Sequence, residues 1–224
     1  MKARVLAALI AASLGWGMAG VGTRYLFGEG VTTFTVVVVR TLTATAAMVV
    51  VGLSSGARVD RAAWRHGSMI GVLRIGIAPI LFISSLQYVS AGVEGIFITL
   101  IPATTAALAA AILGERLDRN QIAGLLIGLL GTLLIVASGE SGIGGEGGDV
   151  RIGALLALGG VIAGASSGVL SRRYAPHHRT TDLAVPMFAT GSVVAVAAGL
   201  LAADIEFSGV VATSWLTLIA LGLG

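Results

Sequence analysis

Residues 32–53 read TTFTVVVVRTLTATAAMVVVGL and carry a single charged side chain, that of Arg40. An apolar segment of about 20 residues is the length at which an α-helix crosses the ~30 Å hydrocarbon core of a bilayer. Similar segments follow one another along the chain. They predict membrane spans at residues 5–26, 32–53, 67–89, 94–113, 120–138, 152–174 and 183–203, with an eighth span beginning near residue 213.

The composition agrees with a chain embedded in a lipid bilayer. Of 224 residues, 56% are hydrophobic and 11% are charged, whereas soluble domains carry about a quarter charged residues. A water-soluble fold would have too few polar side chains to cover its surface. There is no cysteine, which excludes disulfides, thiolate chemistry and cysteine-based metal sites. The predicted fold class is therefore an all-α, polytopic membrane protein.

The positive charges predict the orientation of the chain. The formal net charge is +3, but no basic stripe is interleaved with aromatic residues, so nucleic acid is not an expected partner. Positive residues are retained in the cytoplasm, and a cytoplasmic N-terminus places only Arg24 and Arg151 outside. Such a topology, in the plasma (inner) membrane, puts ten positive residues inside: Lys2, Arg4, Arg58, Arg61, Arg65, Arg116, Arg119, Arg172, Arg173 and Arg179.

Weak internal similarity with a spacing of about 150 residues suggests a repeat. Thr23-Arg24-Tyr25 corresponds to Arg172-Arg173-Tyr174, Trp64 to Trp215, and Gly71 to Gly222. A five-helix unit is odd in number, so a second copy enters the membrane from the opposite side, as in many secondary transporters. We expect a first repeat at residues 1–138, an outside linker at 139–151 and an incomplete second repeat at 152–224. Two full copies imply ten helices, so we also expect the last spans of the second copy to be missing.

Several short motifs occur in an order that resembles the EamA-type drug/metabolite transporter family over the whole chain. They are Trp16-Gly17, Arg40, Gln87-Tyr88-Val89-Ser90-Ala91-Gly92, Pro102, Gly114-Glu115-Arg116-Leu117, and Gly124, Gly128 and Gly131. The resemblance implies ten helices in two inverted units, alternating access, and export of metabolites, amino acids or drugs. It also implies a central cavity lined by helices one, three and four of each repeat. The Pro and Gly-Glu segments of a second copy are not found.

Glycines at four-residue spacing predict close contact between helix backbones. They are Gly67 and Gly71 in span three, Gly124 and Gly128 in span five, and Gly160, Gly164 and Gly168 in span six. The same smooth faces serve contacts within one chain or between chains, so a homodimer is one of the open arrangements.

Three charged residues at membrane depth each allow a functional and a structural interpretation. Arg40 binds an anionic substrate group through its guanidinium fork, or it bonds to carbonyls and helix ends. Arg74 extends to the headgroups, or it binds an anionic ligand from the inner side. Glu94 caps the start of span four, or it relays protons.

Further candidates for the substrate site lie in the same spans. Pro102 removes a backbone hydrogen bond in span four, which a membrane protein tolerates only against neighbours or a cavity. Thr99 offers a hydroxyl nearby. Trp16 and Tyr88 provide aromatic walls, although Tyr88 near a span end is equally typical of an interface anchor. The candidate substrate site is thus Trp16, Arg40, Arg74, Tyr88, Thr99 and Pro102, with Glu94 for proton coupling.

The classes of function narrow accordingly. The histidines, His66, His177 and His178, fall in predicted cytoplasmic loops, and no HExxH helix or intramembrane aspartate pair is present. An enzyme, a metal site and a cofactor are therefore not expected. We expect a transporter of small metabolites, amino acids or drugs that works by alternating access in the lipid bilayer. The alternative is a non-transporting fragment or a structural membrane protein.

Overall fold

A computed structural model describes residues 3–138, 149–207 and 212–223 of the chain, with the backbone but not the side chains of residues 3–12, 14, 16, 17 and 212. Every regular element within these ranges is helical. Among the described residues, six helical segments are long and apolar enough to cross a membrane. The prediction of an all-α, polytopic membrane protein is confirmed. The predicted linker at 139–151 lies, except for residues 149–151, outside the described residues.

The helices follow the predicted spans closely. Their bounds are α1 (Ala3–Gly28), α2 (Thr33–Ser54), α3 (Arg61–Gly71), α4 (Ala78–Ser85), α5 (Ala91–Ile98), α6 (Leu100–Leu113), α7 (Arg119–Ser138), α8 (Val150–Tyr174), α9 (Thr180–Ala202) and α10 (Ala212–Leu223). A π-helical segment, Val72–Ile77, joins α3 to α4, and a 3-10 turn, Ala175–His177, follows α8. Spans three and four are thus each built from two helical pieces.

Two of the spans that begin earlier than the sequence predicts have side chains that cap their first turns. The carboxylate of Asp60 accepts a hydrogen bond from the amide of Ala63 at 2.6 Å, so α3 begins at Arg61 rather than at residue 67. The hydroxyl of Ser90 accepts one from the amide of Val93 at 3.2 Å, so α5 begins at Ala91 rather than at residue 94. Such caps satisfy amides that have no partner within the helix.

The connections between spans divide into two ends of the bundle. Residues 55–60, 114–118 and 175–179 form what we call the arginine-rich end, and residues 29–32, 86–90 and 203–207 lie at the opposite end. At the arginine-rich end, Arg172 and Glu115 form an ion pair at 3.1 Å, with both side chains about half exposed. An exposed pair of this kind contributes about 0–1 kcal/mol, so it positions the end of α8 more than it stabilises the fold.

Helix α9 packs against both α2 and the α3 segment. Polar contacts link α9 to α2: the hydroxyls of Thr45 and Ser192 lie 2.6 Å apart, and Ser192 donates to the carbonyl of Thr41 at 3.0 Å. Glycines link α9 to α3. A Cβ on Gly67 would lie 2.6 Å from the carbonyl oxygen of Leu183, and a Cβ on Gly71 would overlap the carbonyl oxygen of Met187. The two backbones therefore touch with no side chain between them.

A second glycine contact mirrors the first. A Cβ on Gly222 of α10 would lie 2.8 Å from the carbonyl oxygen of Arg40 and 2.7 Å from the Cβ of Thr43, both in α2. Gly71 of α3 thus packs on α9, while its counterpart Gly222 of α10 packs on α2. The two contacts are reciprocal, since each joins the third helix of one predicted repeat to the second helix of the other.

The other glycine predictions have mixed outcomes. A Cβ added to Gly160 of α8 would lie 3.0 Å from Phe82, and one added to Gly168 would lie 2.9 Å from Thr105. A Cβ added to Gly164 would lie 3.5 Å from Ile101. These glycines of α8 thus pack against side chains, rather than against the helix backbones that the spacing predicted. On α7 the prediction is wrong for Gly124, which has no described atom within 4 Å of an added Cβ. The physical reason is that α7 lies at the edge of the bundle.

Substituting alanine for Gly71 should destabilise the protein, whereas the same change at Gly124 should not. The new methyl group at position 71 meets a backbone carbonyl that cannot rotate away, and overpacking of this kind costs about 1–3 kcal/mol. The methyl group at position 124 meets no described atom, so its effect should stay within about 0.5 kcal/mol. Thermal unfolding of both purified variants in the same detergent measures the difference. Equal melting temperatures for the two variants would contradict the described α3–α9 contact.

Candidate functional site

Two cavities lie between the helices and adjoin one another. The first, about 550 Å³, is lined by parts of α1, α4, α5, α6 and α8. The second, about 580 Å³, lies toward the arginine-rich end among α2, α8, α9 and α10. Arg40, Arg74 and Pro79 line both cavities, and we call these three the junction residues. Each volume is within the range of small-molecule sites, about 300–1,000 Å³.

Spans three and four are each built from two helical pieces, and both border the cavities where the pieces meet. Helices α5 and α6 meet at Thr99, whose backbone is still right-handed helical, and Pro102 follows in the first turn of α6. Pro102 lacks the N–H that would otherwise bond to the carbonyl of Ile98. Ile98, Thr99 and Pro102 all line the first cavity. Irregular backbone at membrane depth is tolerated where it lines a cavity or is buried in protein, and broken helices often form transporter binding sites.

The π-helical segment gives span three a similar break. Arg74 lies within Val72–Ile77, and Pro79 follows at the start of α4. A π-helical turn changes the direction of the side chains on either side of it and occurs often at functional sites. Here both Arg74 and Pro79 are junction residues. The side chain of Arg74 is exposed in the protein and borders the cavities between the helices.

Arg40 and Glu94 face the first cavity from different helices. Glu94 is 7% exposed, and its carboxylate lies beside α1, since a Cβ on Gly20 would be 3.5 Å from its Oε2 atom. The opposite charges of Glu94 and Arg40 attract one another. Within the described part of the chain, the Arg40 side chain forms neither a hydrogen bond nor an ion pair. Glu94 is the acidic side chain that lines the first cavity together with Arg40 in the described part of the chain.

The candidate residues from the sequence separate into three groups. Arg40, Arg74, Glu94, Thr99 and Pro102 come together around the first cavity. Tyr88 lies outside both cavities, because it packs against Gly153 of α8. A Cβ added to Gly153 would lie 2.8 Å from the Cβ of Tyr88. Trp16 lies in α1, but its side chain is outside the described residues. The structure thus unites five of the seven candidates at one place.

The family resemblance placed helix one beside the cavity, but of its residues the sequence singled out only Trp16. Ala19, Gly20 and Thr23 line the first cavity. Arg24, assigned above only as an outside charge, donates hydrogen bonds from Nη1 to the carbonyl oxygens of Leu86 at 2.6 Å and Val89 at 3.1 Å. It thereby holds α1 against the turn between α4 and α5. The apolar spacing of α1 shows which residues are buried in the membrane but not which face meets the cavity.

A pair of histidines lies where the second cavity meets the arginine-rich end. The Nδ1 atom of His66 and the Nε2 atom of His178 are 3.0 Å apart, and His66 stacks on Tyr174 with ring centroids 4.0 Å apart. His178 also lines the second cavity. Because α3 begins at Arg61, His66 lies in a helix rather than in the predicted loop. The described residues contain no group of three or more His, Cys, Asp or Glu side chains suited to a metal ion.

The fold and the site together define a polytopic helical membrane protein with a central, partly charged cavity between broken helices. A sequence model described as the EamA-like transporter family matches residues 3–137. The chain belongs to this family, whose members are transporters rather than enzymes. This confirms the resemblance inferred from the motifs over residues 3–137.

Comparison with solved structures supports the fold. One of the similar structures, titled "Crystal structure of protein", has a TM-score of 0.60 and 23% sequence identity. The match covers 94% of this chain and 72% of that chain. At this identity the likeness shows the fold alone. The comparison with curated proteins returned no match.

Proposed function

We propose that this protein moves small organic solutes across the membrane by alternating access, using the two adjoining cavities as the pathway. The observation that carries the proposal is the junction of Arg40, Arg74 and Pro79, which borders both cavities between two broken spans. A solute bound there is within reach of both halves of the pathway. Membership of a transporter family supports the same function, and the resemblance favours metabolites, amino acids or drugs moved in the direction of export.

We further propose that the helices form two inverted repeats, each half rocking against the other. The reciprocal contacts of Gly71 with α9 and of Gly222 with α2 support this plan. Contacts without side chains between the backbones allow one helix to move along another with little rearrangement of side chains. Gly71 directly precedes the segment that carries Arg74, and Gly222 contacts the backbone of Arg40, so movement at either contact also moves a junction residue.

Occlusion of the first cavity tests the transport proposal. Replacing Thr99 by tryptophan places a large ring at a residue that lines the cavity. Thr213→Trp is the matched control, because Thr213 is exposed on α10 and lines neither cavity. In proteoliposomes, we expect Thr99→Trp to reduce the flux of transported solutes about tenfold, equivalent to ~1.4 kcal/mol in the barrier. The flux of Thr213→Trp should match that of the wild-type protein.

The measurement requires a panel of radiolabelled amino acids, organic anions and organic cations. A folded wild-type protein that moves none of them would overturn the transport proposal and leave the structural membrane protein as the better account. Equal inhibition by Thr99→Trp and Thr213→Trp would place the pathway outside the first cavity.

We also propose that the arginine-rich end faces the cytoplasm of a plasma (inner) membrane, as the excess of positive residues there favours. Because the chain has no cysteine, single cysteines report the sides of the membrane without background. In intact cells, a membrane-impermeant maleimide should label Glu29→Cys at the opposite end. Val59→Cys, between α2 and α3, should react only after permeabilisation. The reverse pattern would invert the proposed orientation, and labelling of both in intact cells would contradict the assignment of these loops to different sides.

A further inference from the structure

Two arginines line the place where the cavities meet, and the described residues provide no acceptor for them. Neither Arg40 nor Arg74 forms a hydrogen bond or an ion pair within the described part of the chain. Arg40 is partly buried and Arg74 is exposed, and both line the two cavities. A guanidinium presents several N–H donors in a planar fork that matches carboxylates and phosphates. The donors are therefore free for water or for a solute.

The charges around the two cavities do not balance. Glu94 is the acidic side chain among the described residues that line the first cavity, and it faces Arg40. The described lining of the second cavity contains both arginines and His178 but no acidic side chain. Glu94 offsets one arginine, which leaves Arg74 without a compensating charge in either lining. Low-dielectric walls concentrate the resulting positive potential and attract anions.

The remaining walls are apolar. Phe82, Ile98 and Ile101 contribute to the first cavity, and Met48, Met187 and Phe188 contribute to the second. Sites of this kind bind the apolar body of a ligand by burial, while a few polar groups fix its orientation. Methionine and aromatic side chains adapt to bodies of different shape. We therefore expect the protein to select a solute by its charged group and to accept apolar bodies of different shapes.

We propose that the cargo is an organic anion, with a carboxylate, sulfonate or phosphate group on an apolar body, and that Arg74 receives this group at the junction of the cavities. The inference rests on the proposed transport function and narrows its substrate class. Arg40, which lines the same two cavities, is the second donor as the anionic group passes from one cavity to the other. Cationic solutes of the same shape meet repulsion at Arg74 and are excluded.

Extension of Arg74 to the lipid headgroups was the alternative left open by the sequence. It does not account for the position of Arg74, which borders both interior cavities together with Arg40 and Pro79. It also provides no role for the π-helical segment that carries this residue. An anion site explains both observations.

Binding and flux of two probes with the same ring test the proposal. Benzenesulfonate is a permanent anion and phenyltrimethylammonium a permanent cation, so neither crosses a bare bilayer readily. We expect purified wild-type protein to bind radiolabelled benzenesulfonate more tightly than the cation by at least about tenfold. Arg74→Gln should reduce benzenesulfonate affinity about tenfold, and Arg74→Lys should retain part of it because the charge is kept. Arg119→Gln removes an exposed arginine that lines neither cavity and should have no effect.

The outcomes separate this inference from the transport proposal. Flux of some solute without benzenesulfonate binding would overturn the anion site and leave transport intact. Benzenesulfonate binding that depends on Arg74, without flux of any solute in the panel, would overturn transport and leave the anion site. Tighter binding of the cation, or unchanged benzenesulfonate binding in a folded Arg74→Gln variant, would also overturn the inference. Melting temperatures of the variants establish that they are folded.

Discussion

A guanidinium inside a bilayer must reach water or a hydrogen-bond acceptor, because its transfer to hydrocarbon costs at least about 2.5 kcal/mol on insertion scales. This chain has two such groups, Arg40 and Arg74, and the described residues supply neither with a direct acceptor. The structure meets the constraint with two cavities that adjoin at these arginines. The points where the helical pieces of spans three and four meet border the same cavities.

The helices around the cavities are in close contact elsewhere in the bundle. Gly71 lets α3 contact the α9 backbone, and Gly222 lets α10 contact the α2 backbone. Without a hydrophobic driving force between helices in lipid, close van der Waals packing at small residues provides much of the association. The helices thus pack closely at the Gly71 and Gly222 contacts and leave the two cavities elsewhere between them. The edge helix α7 contrasts with this, since Leu133 and Leu134 on it are 62% and 71% exposed and suit contact with lipid.

The sequence predicted the spans well because length and hydropathy determine where a helix can cross a membrane. The starts of α3 and α5 were missed, since they depend on capping by Asp60 and Ser90, and hydropathy does not register a cap. The change of helix at Pro102 had a local signal, and the π-helical segment around Arg74 had one in Pro79, which has no N–H to bond to the carbonyl of Ile75. Only the first of these two prolines was used in the prediction from the sequence. Which face of a helix meets a neighbour is set by tertiary packing, so equal glycine spacings gave a contact at Gly71 and none within the described residues at Gly124. For the same reason Tyr88, a residue of a family motif, lies outside the cavities.

The central claim is that the space between the helices is wet while the outer surface of the bundle lies in lipid. Single cysteines at Thr99 and Leu133 test it directly, because thiosulfonates react with the thiolate, which forms in water and not in hydrocarbon. Thr99 lines the first cavity, and Leu133 is 62% exposed on α7. In proteoliposomes treated with a charged, water-soluble thiosulfonate, the account predicts rapid modification of Thr99→Cys and little or none of Leu133→Cys. Faster modification of Leu133→Cys would contradict it, as would equal rates at the two positions.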